Sequence, residues 1–156
     1  MDKSQKDYAL RPGVPSTPDY LRLRYESGLT PRTADQAHRA LPGSWAACHV
    51  VGVDDGSTVG MGRLIGDGGW YFHVVDMAVL PAHQRRGIGD WILTWLLDRV
   101  REAAPPDAFV SLMADPPGRR LYARHGFTEN RDLSIGMAMW LGRDETAPGP
   151  VTTRNR

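Results

Sequence analysis

Residues 83 to 89 read His83-Gln84-Arg85-Arg86-Gly87-Ile88-Gly89, between an apolar run, Val74 to Leu80, and a stretch of helical periodicity. A strand that passes through a glycine turn into a helix constrains the fold strongly, because it builds an anion site from main-chain atoms. The first-turn amides of a helix have no partners within it, and the helix dipole favours negative charge there. Gly87 and Gly89 lack a Cβ, so a phosphate can approach the backbone closely. Arg85 and Arg86 add fixed positive charge. The simplest ligand for such a turn is a pyrophosphate.

The chain of 156 residues suits one domain. A single domain is expected over residues 1–143, with a loose terminus at 1–7 and a disordered tail at 144–156. The net charge of +1 gives no bulk attraction to nucleic acid or to a membrane surface. Cys48 is the only cysteine, which excludes an internal disulfide and a cysteine-based zinc site. No run reaches membrane-spanning length, and Met1 to Tyr8 is polar rather than a signal peptide. A cytoplasmic protein without a metal is expected.

Tyr8 to Leu10 reads as a short strand. Ser16-Thr17-Pro18 starts a helix over Asp19–Ser27, and Thr33 caps a second over Ala34–Leu41. Three strands follow, Trp45–Val53, Thr58–Ile65 and Trp70–Leu80, joined by Asp54-Asp55-Gly56 and by the turn at residues 66–69. Tight turns between consecutive strands predict an antiparallel meander. Ile92, Leu93, Leu96, Leu97 and Val100 share one face of a helix over Asp90–Glu102. Phe109–Met113 reads as a central strand, Gly118–Arg124 as a helix ended by Gly126, and Ile135–Leu141 as a last strand. The pattern is an α+β chain: a mixed sheet of meander, then strand-helix-strand-helix-strand, with helices on both faces.

This order, with two motifs, resembles the GNAT superfamily of acyl-CoA-dependent N-acetyltransferases. Gln84-Arg85-Arg86-Gly87-Ile88-Gly89, after the strand end Val79-Leu80-Pro81, fits the family's [Q/R]-x-x-G-x-[G/A] loop. Asp115 through Leu121-Tyr122-Ala123-Arg124-His125-Gly126-Phe127 is similar to its N-x-x-A-x-x-L-Y-x-x-x-G-F helix, with Asp115 for asparagine and Gly118 for alanine. A dinucleotide fingerprint would instead follow the first strand of a βαβ unit, and no Gly-Lys-Ser/Thr phosphate loop is present.

The resemblance implies acetyl-CoA as co-substrate, bound by Gln84, Arg85, Arg86, Gly87, Ile88 and Gly89 at the pyrophosphate and by Met77, Ala78 and Val79 along the pantetheine arm. An amide near Val79 would face the thioester oxygen. Tyr122 matches the tyrosine that protonates the departing thiolate and contacts the coenzyme. His73 stands where some relatives carry a catalytic glutamate, and is the candidate general base. Asp76 is the second candidate; strand alternation puts it on the face opposite His73. Asp115 cannot donate a hydrogen bond when ionised, and either contacts coenzyme or caps the helix start at Pro116. Arg119 and Arg120 reach the coenzyme's 3′-phosphate or face water. Tyr25, Glu26, Arg32 and residues 131–135 are candidate contacts for the acceptor, a small-molecule or peptide amine. The expected reaction is direct attack of a primary amine on acetyl-CoA in a ternary complex. The alternative is an acyl-CoA-binding module without chemistry. A homodimer is compatible with either.

Overall fold

The computed structural model describes residues 6–129, 134–139 and 141. One sheet has the order β1 (Tyr8–Pro12), β2 (Ala46–Gly52), β3 (Thr58–Gly66), β4 (Tyr71–Val79), β5 (Phe109–Leu112). β1 to β4 pair antiparallel, and β5 joins β4 in parallel. The expected meander is β2-β3-β4. Its second turn is organised by Asp67, whose Oδ1 accepts the amides of Gly69, Trp70 and Tyr71 at 2.8, 3.0 and 3.1 Å.

The four helices are α1 (Thr17–Glu26), α2 (Ala34–Ala40), α3 (Ile88–Ala103) and α4 (Arg119–Arg124). Ser16 caps α1 by accepting from Asp19 N at 3.2 Å, and Thr33 and Gln36 form a reciprocal capping box on α2. Tyr20, Leu23, Ala37 and Leu41 from α1, α2 and the turn after them cover one face of the sheet, against Met61, Ala78 and Leu80. The apolar stripe of α3 covers the other, against Val50, Val59, Leu64, Phe72 and Val74. Helices therefore flank both faces, as the pattern predicts. Cys48 lies in the α3-side core with no exposed surface, and burial pushes its thiol up to about 12. It is a small hydrophobe rather than a nucleophile.

Side chains of α3 pack directly on the β3 backbone because β3 offers them glycine. A Cβ on Gly62 would sit 2.6 Å from Ile92 Cγ2 and 2.7 Å from Met77 Sδ. Such distances leave room for hydrogen only.

Three expectations need correction. α3 begins at Ile88, two residues before Asp90, because the left-handed Gly87 (φ 76°) turns the chain straight into the helix. β5 is an edge strand among the described residues, and Phe109 is 43% exposed, so its apolar run does not mark a central position. No strand forms over the described part of Ile135–Leu141. Ile135, Met137, Met139 and Leu141 alternate correctly but are all exposed, and Gly136 and Ala138 between them are poor strand formers. The proposed tail, 144–156, lies outside the described residues.

Candidate active site

β4 changes partner halfway along its length. Its parallel pairing with β5 runs from Tyr71↔Phe109 to Val74↔Leu112 and then stops. Its pairing with β3 continues to Val79, through a bulge in which Asp76 and Met77 stand opposite Gly62 alone. Asp76 takes a positive φ of 55° at this point. Beyond Val74 one edge of β4 is therefore open among the described residues. Leu80 N donates to Val59 O at 2.9 Å. Alternation then turns the main-chain groups of Ala78 toward β3 and those of Met77 and Val79 toward the opening. An extended ligand arm can pair with this edge as an added strand would.

The geometry of the loop that follows suits an anion. Arg85 and Gly87 both have positive φ, 60° and 76°, which turns successive amides to one side. α3 has no side-chain cap, unlike α1 and α2, so its first-turn amides remain for a ligand. Nothing lies within 4 Å of a Cβ placed on Gly87. The side chains of Arg85 and Arg86 are exposed beside it. Gln84 has a different part: its Nε2 donates to Val79 O at 3.0 Å and ties the loop to the end of β4. The open edge and the uncapped helix start are consecutive in the chain, so one molecule with an extended arm and a pyrophosphate fits both. Among the described residues no cluster of His, Cys, Asp or Glu is placed to hold a metal, and no helix is long and apolar enough to cross a membrane.

Tyr122 projects from α4 into the cluster around α3 and meets Phe127 edge-on, with ring centroids 6.1 Å apart. The glycine at 118 makes this possible, since a Cβ there would lie 2.8 Å from Tyr122 Cε2. The hydroxyls of Tyr8 and Tyr20 are bonded to His83 and Asp76, whereas that of Tyr122 makes no hydrogen bond among the described residues. Burial, and then the charge of Asp115, hold its phenol above the usual value of 10. Asp115 does not cap the turn that follows it. Pro116 and Pro117 have no N–H to cap, and Gly118 N already donates to the Asp115 carbonyl at 3.0 Å. Arg119 is exposed and bonds Ala114 O through Nε at 3.3 Å; Arg120 is exposed as well. At the other end of α4, His125 Nε2 lies 2.8 Å from Asp90 Oδ1 and fastens α4 to the start of α3.

His73 stands in the paired part of β4, and its Nδ1 lies 2.8 Å from Ser111 Oγ on β5. Ser111 Oγ also lies 3.5 Å from Phe72 O, and in the tautomer that carries its proton on Nδ1 the imidazole donates to Ser111 and keeps its lone pair on Nε2. Burial lowers the imidazole pKa below its usual 6.5, which keeps the ring neutral at pH 7.

Asp76 lies on the α1–α2 face and not, as strict alternation predicts, opposite His73. The bulge adds a residue and reverses the phase of the strand. The carboxylate is an anchor. Its Oδ2 accepts from Tyr20 Oη at 2.8 Å and Arg63 Nε at 2.7 Å, and its Oδ1 accepts from Arg24 Nη1. Sequence reasoning missed Tyr20, Arg24 and Arg63. One signal was present: Arg63 is a lone charge inside the otherwise apolar run of β3, and such a charge needs a buried partner. Among the expected acceptor contacts, Arg32 lines the cleft beside this cluster, while Tyr25 is 74% exposed. Glu26 ends α1, and residues 131–133 lie outside the described residues.

The chain is similar to known proteins in sequence and fold. Residues 45–129, more than half of the chain, match the family model of the acetyltransferase (GNAT) domain. A protein of unknown function from meticillin-resistant Staphylococcus aureus, described as a probable acetyltransferase, is 32% identical in sequence; the match covers 85% of this chain and 98% of that one, with a TM-score of 0.80. A GNAT-family acetyltransferase from Streptococcus pneumoniae is 25% identical, over 88% of this chain and 99% of that one, with a TM-score of 0.70. An acetyltransferase-like protein from Deinococcus radiodurans, 20% identical with a TM-score of 0.67, shares the fold over 92% of this chain and 93% of its own. No functionally curated protein matches the chain. With an open strand edge leading into an uncapped glycine loop, and with matched relatives covered almost end to end, the chain belongs to the GNAT superfamily of acetyltransferases.

Proposed function

We propose that the protein moves an acetyl group from acetyl-CoA to a primary amine by direct attack, with both substrates bound together. The observation that carries this reading is the continuity of the open β4 edge with the glycine loop. The co-substrate supplies an activated acetyl group as a thioester. The amides of the loop and the α3 start would hold its pyrophosphate, with Arg85 and Arg86 beside them. The main chain of Met77 to Val79 would take the pantetheine arm. Met77, the second residue of the bulge, carries the opening-facing amide nearest the acceptor side, and in place of the amide near Val79 it would be the donor for oxygen charge that develops in the reaction. A fixed amide of this kind contributes about 3–4 kcal/mol to acyl transfer. His73 Nε2 receives the amine proton, directly or through water, and Tyr122 returns a proton to the sulfur. Asp76 positions arginines and takes no part in proton transfer.

The test is calorimetry with CoA, followed by release of free thiol from acetyl-CoA over a panel of amines. Heat with CoA and thiol release with any amine is the expected result. Tight CoA binding without turnover would assign the chain to the binding-module alternative, and no CoA binding would end both readings.

The role of His73 makes a pH prediction. Its folded pKa lies below 6.5, so the base form is lost only as the pH falls beneath that value. Turnover should show an acid limb below pH 6.5 that is missing in His73→Gln. Between the lowered pKa and 6.5 the unfolded chain binds more protons than the folded one, so stability should rise with pH through that window. Superimposable pH–rate profiles for the two proteins would remove His73 from the reaction.

A further inference from the structure

The Arg24–Asp76–Arg63 cluster is unbalanced. Two guanidiniums face one carboxylate, and the side chains are only 7%, 7% and 10% exposed for Arg24, Arg63 and Asp76. Neutral acceptors take several of the remaining donors. Thr30 O takes Arg24 Nε and Nη2 at 2.9 and 2.7 Å, and Ser44 Oγ takes Arg63 Nη1 at 2.9 Å. These contacts use up hydrogen bonds but supply no countercharge. Tyr20 cannot supply one either, because burial and the neighbouring Asp76 raise its phenol above 10 and keep it neutral. A desolvated net positive charge is costly unless something of opposite sign completes it.

The cluster also borders empty space. It forms one wall of a cleft of about 240 Å³ that Arg32 and Gln36 close from the α2 side, and among the described residues Asp76 is the only acid lining it. The guanidiniums are held rigidly, with Arg24 and Arg63 Cζ 5.8 and 5.9 Å from the Tyr20 ring centroid. Nη2 of Arg63 makes no hydrogen bond among the described residues. Asp76 precedes Met77 in the bulge, so the cleft adjoins the open edge of β4 on the α1–α2 face.

We infer that the acceptor amine carries an anionic group, a carboxylate or a phosphate, which sits against Arg63 and Arg24 and directs the amino group toward the open edge of β4. The inference rests on the acetyl-transfer reading above. The small cleft and its excess of positive charge suit a compact molecule such as an amino acid or an aminoalkyl phosphate, and they disfavour polyamines. Arginine forks are matched to planar carboxylate and to phosphate oxygens alike.

The experiment uses matched acceptors with the full-length protein: α-amino acids against their carboxamides, and phosphoethanolamine against ethanolamine. CoA calorimetry on the same sample reports the acetyl-transfer reading separately. The anionic member of at least one pair should have a kcat/KM about 10–100-fold higher, as expected for a charge-assisted hydrogen-bonded contact. Whichever pair responds identifies carboxylate or phosphate. Arg63→Met leaves Arg24 and Asp76 balanced, and should abolish the preference through KM while CoA affinity is retained. If no acceptor turns over, the same compounds are titrated into CoA-saturated protein, where the anionic members should bind and the neutral ones should not. Equal or better use of neutral amines, failure of every anion to bind, or an Arg63→Met protein that keeps the preference would each overturn the inference.

Discussion

Tyr122→Phe lowers kcat by about 10²–10⁴-fold, the range for loss of a general acid, and leaves CoA affinity within about twofold of its original value on the expectation that only the hydroxyl is lost. The ring slot should survive the change, because it is set by Gly118 and Phe127, which contact carbon atoms of the ring. The hydroxyl alone is removed, and it has no partner among the described residues to leave unsatisfied. Burial and Asp115 hold the phenol protonated past pH 10, so the wild-type acid form persists through the neutral range. Stopped-flow detection of thiol release, beside calorimetry with CoA, separates the two effects. An unchanged rate would leave Tyr122 as a packing residue.

Asp76→Asn should unfold the protein more readily, by about 3–5 kcal/mol, because it strands two buried guanidiniums. For a chain of this size that corresponds to a fall in Tm of roughly 6–20 °C. Asparagine is the informative replacement, since it tolerates the left-handed backbone at φ 55° and so isolates the charge. Adding Arg63→Met to Asp76→Asn should recover part of the loss, because one of the two unpaired charges goes with it. The alternative assignment of Asp76 as a base makes the opposite forecast, a protein of ordinary stability that is slow. Thermal unfolding followed by circular dichroism decides between them.

The cases of His73 and Asp76 locate the boundary of what a sequence discloses. The elements were legible because each rests on local chemistry: Ser16 and Thr33 as caps, the glycines of the turns, the apolar stripe of α3. The glycine loop was legible for the same reason. The face on which Asp76 lies was not, because alternation holds only while the strand is regular, and a single bulge reverses it. Arg24 and Arg63 were missed because their significance depends on helix α1 lying over β3 and β4, which is a long-range fact. Asp115 fails as a cap for a reason that was readable in the sequence, since the two prolines after it have no amide hydrogen to offer. The strand expected at 135–141 had the correct period but lacked any apolar surface to cover.

The short link from Gln84 to Val79 has a consequence for the choice of donor. On the proposed reading it clamps the phosphate grip to the far end of the very segment that meets the reacting carbon, and a pleated ribbon scarcely stretches. The protein then measures its acyl carrier as a ruler would, by the span between two fixed marks. Carriers with the same acyl head but a shorter or longer tether would be told apart without any contact to the head itself.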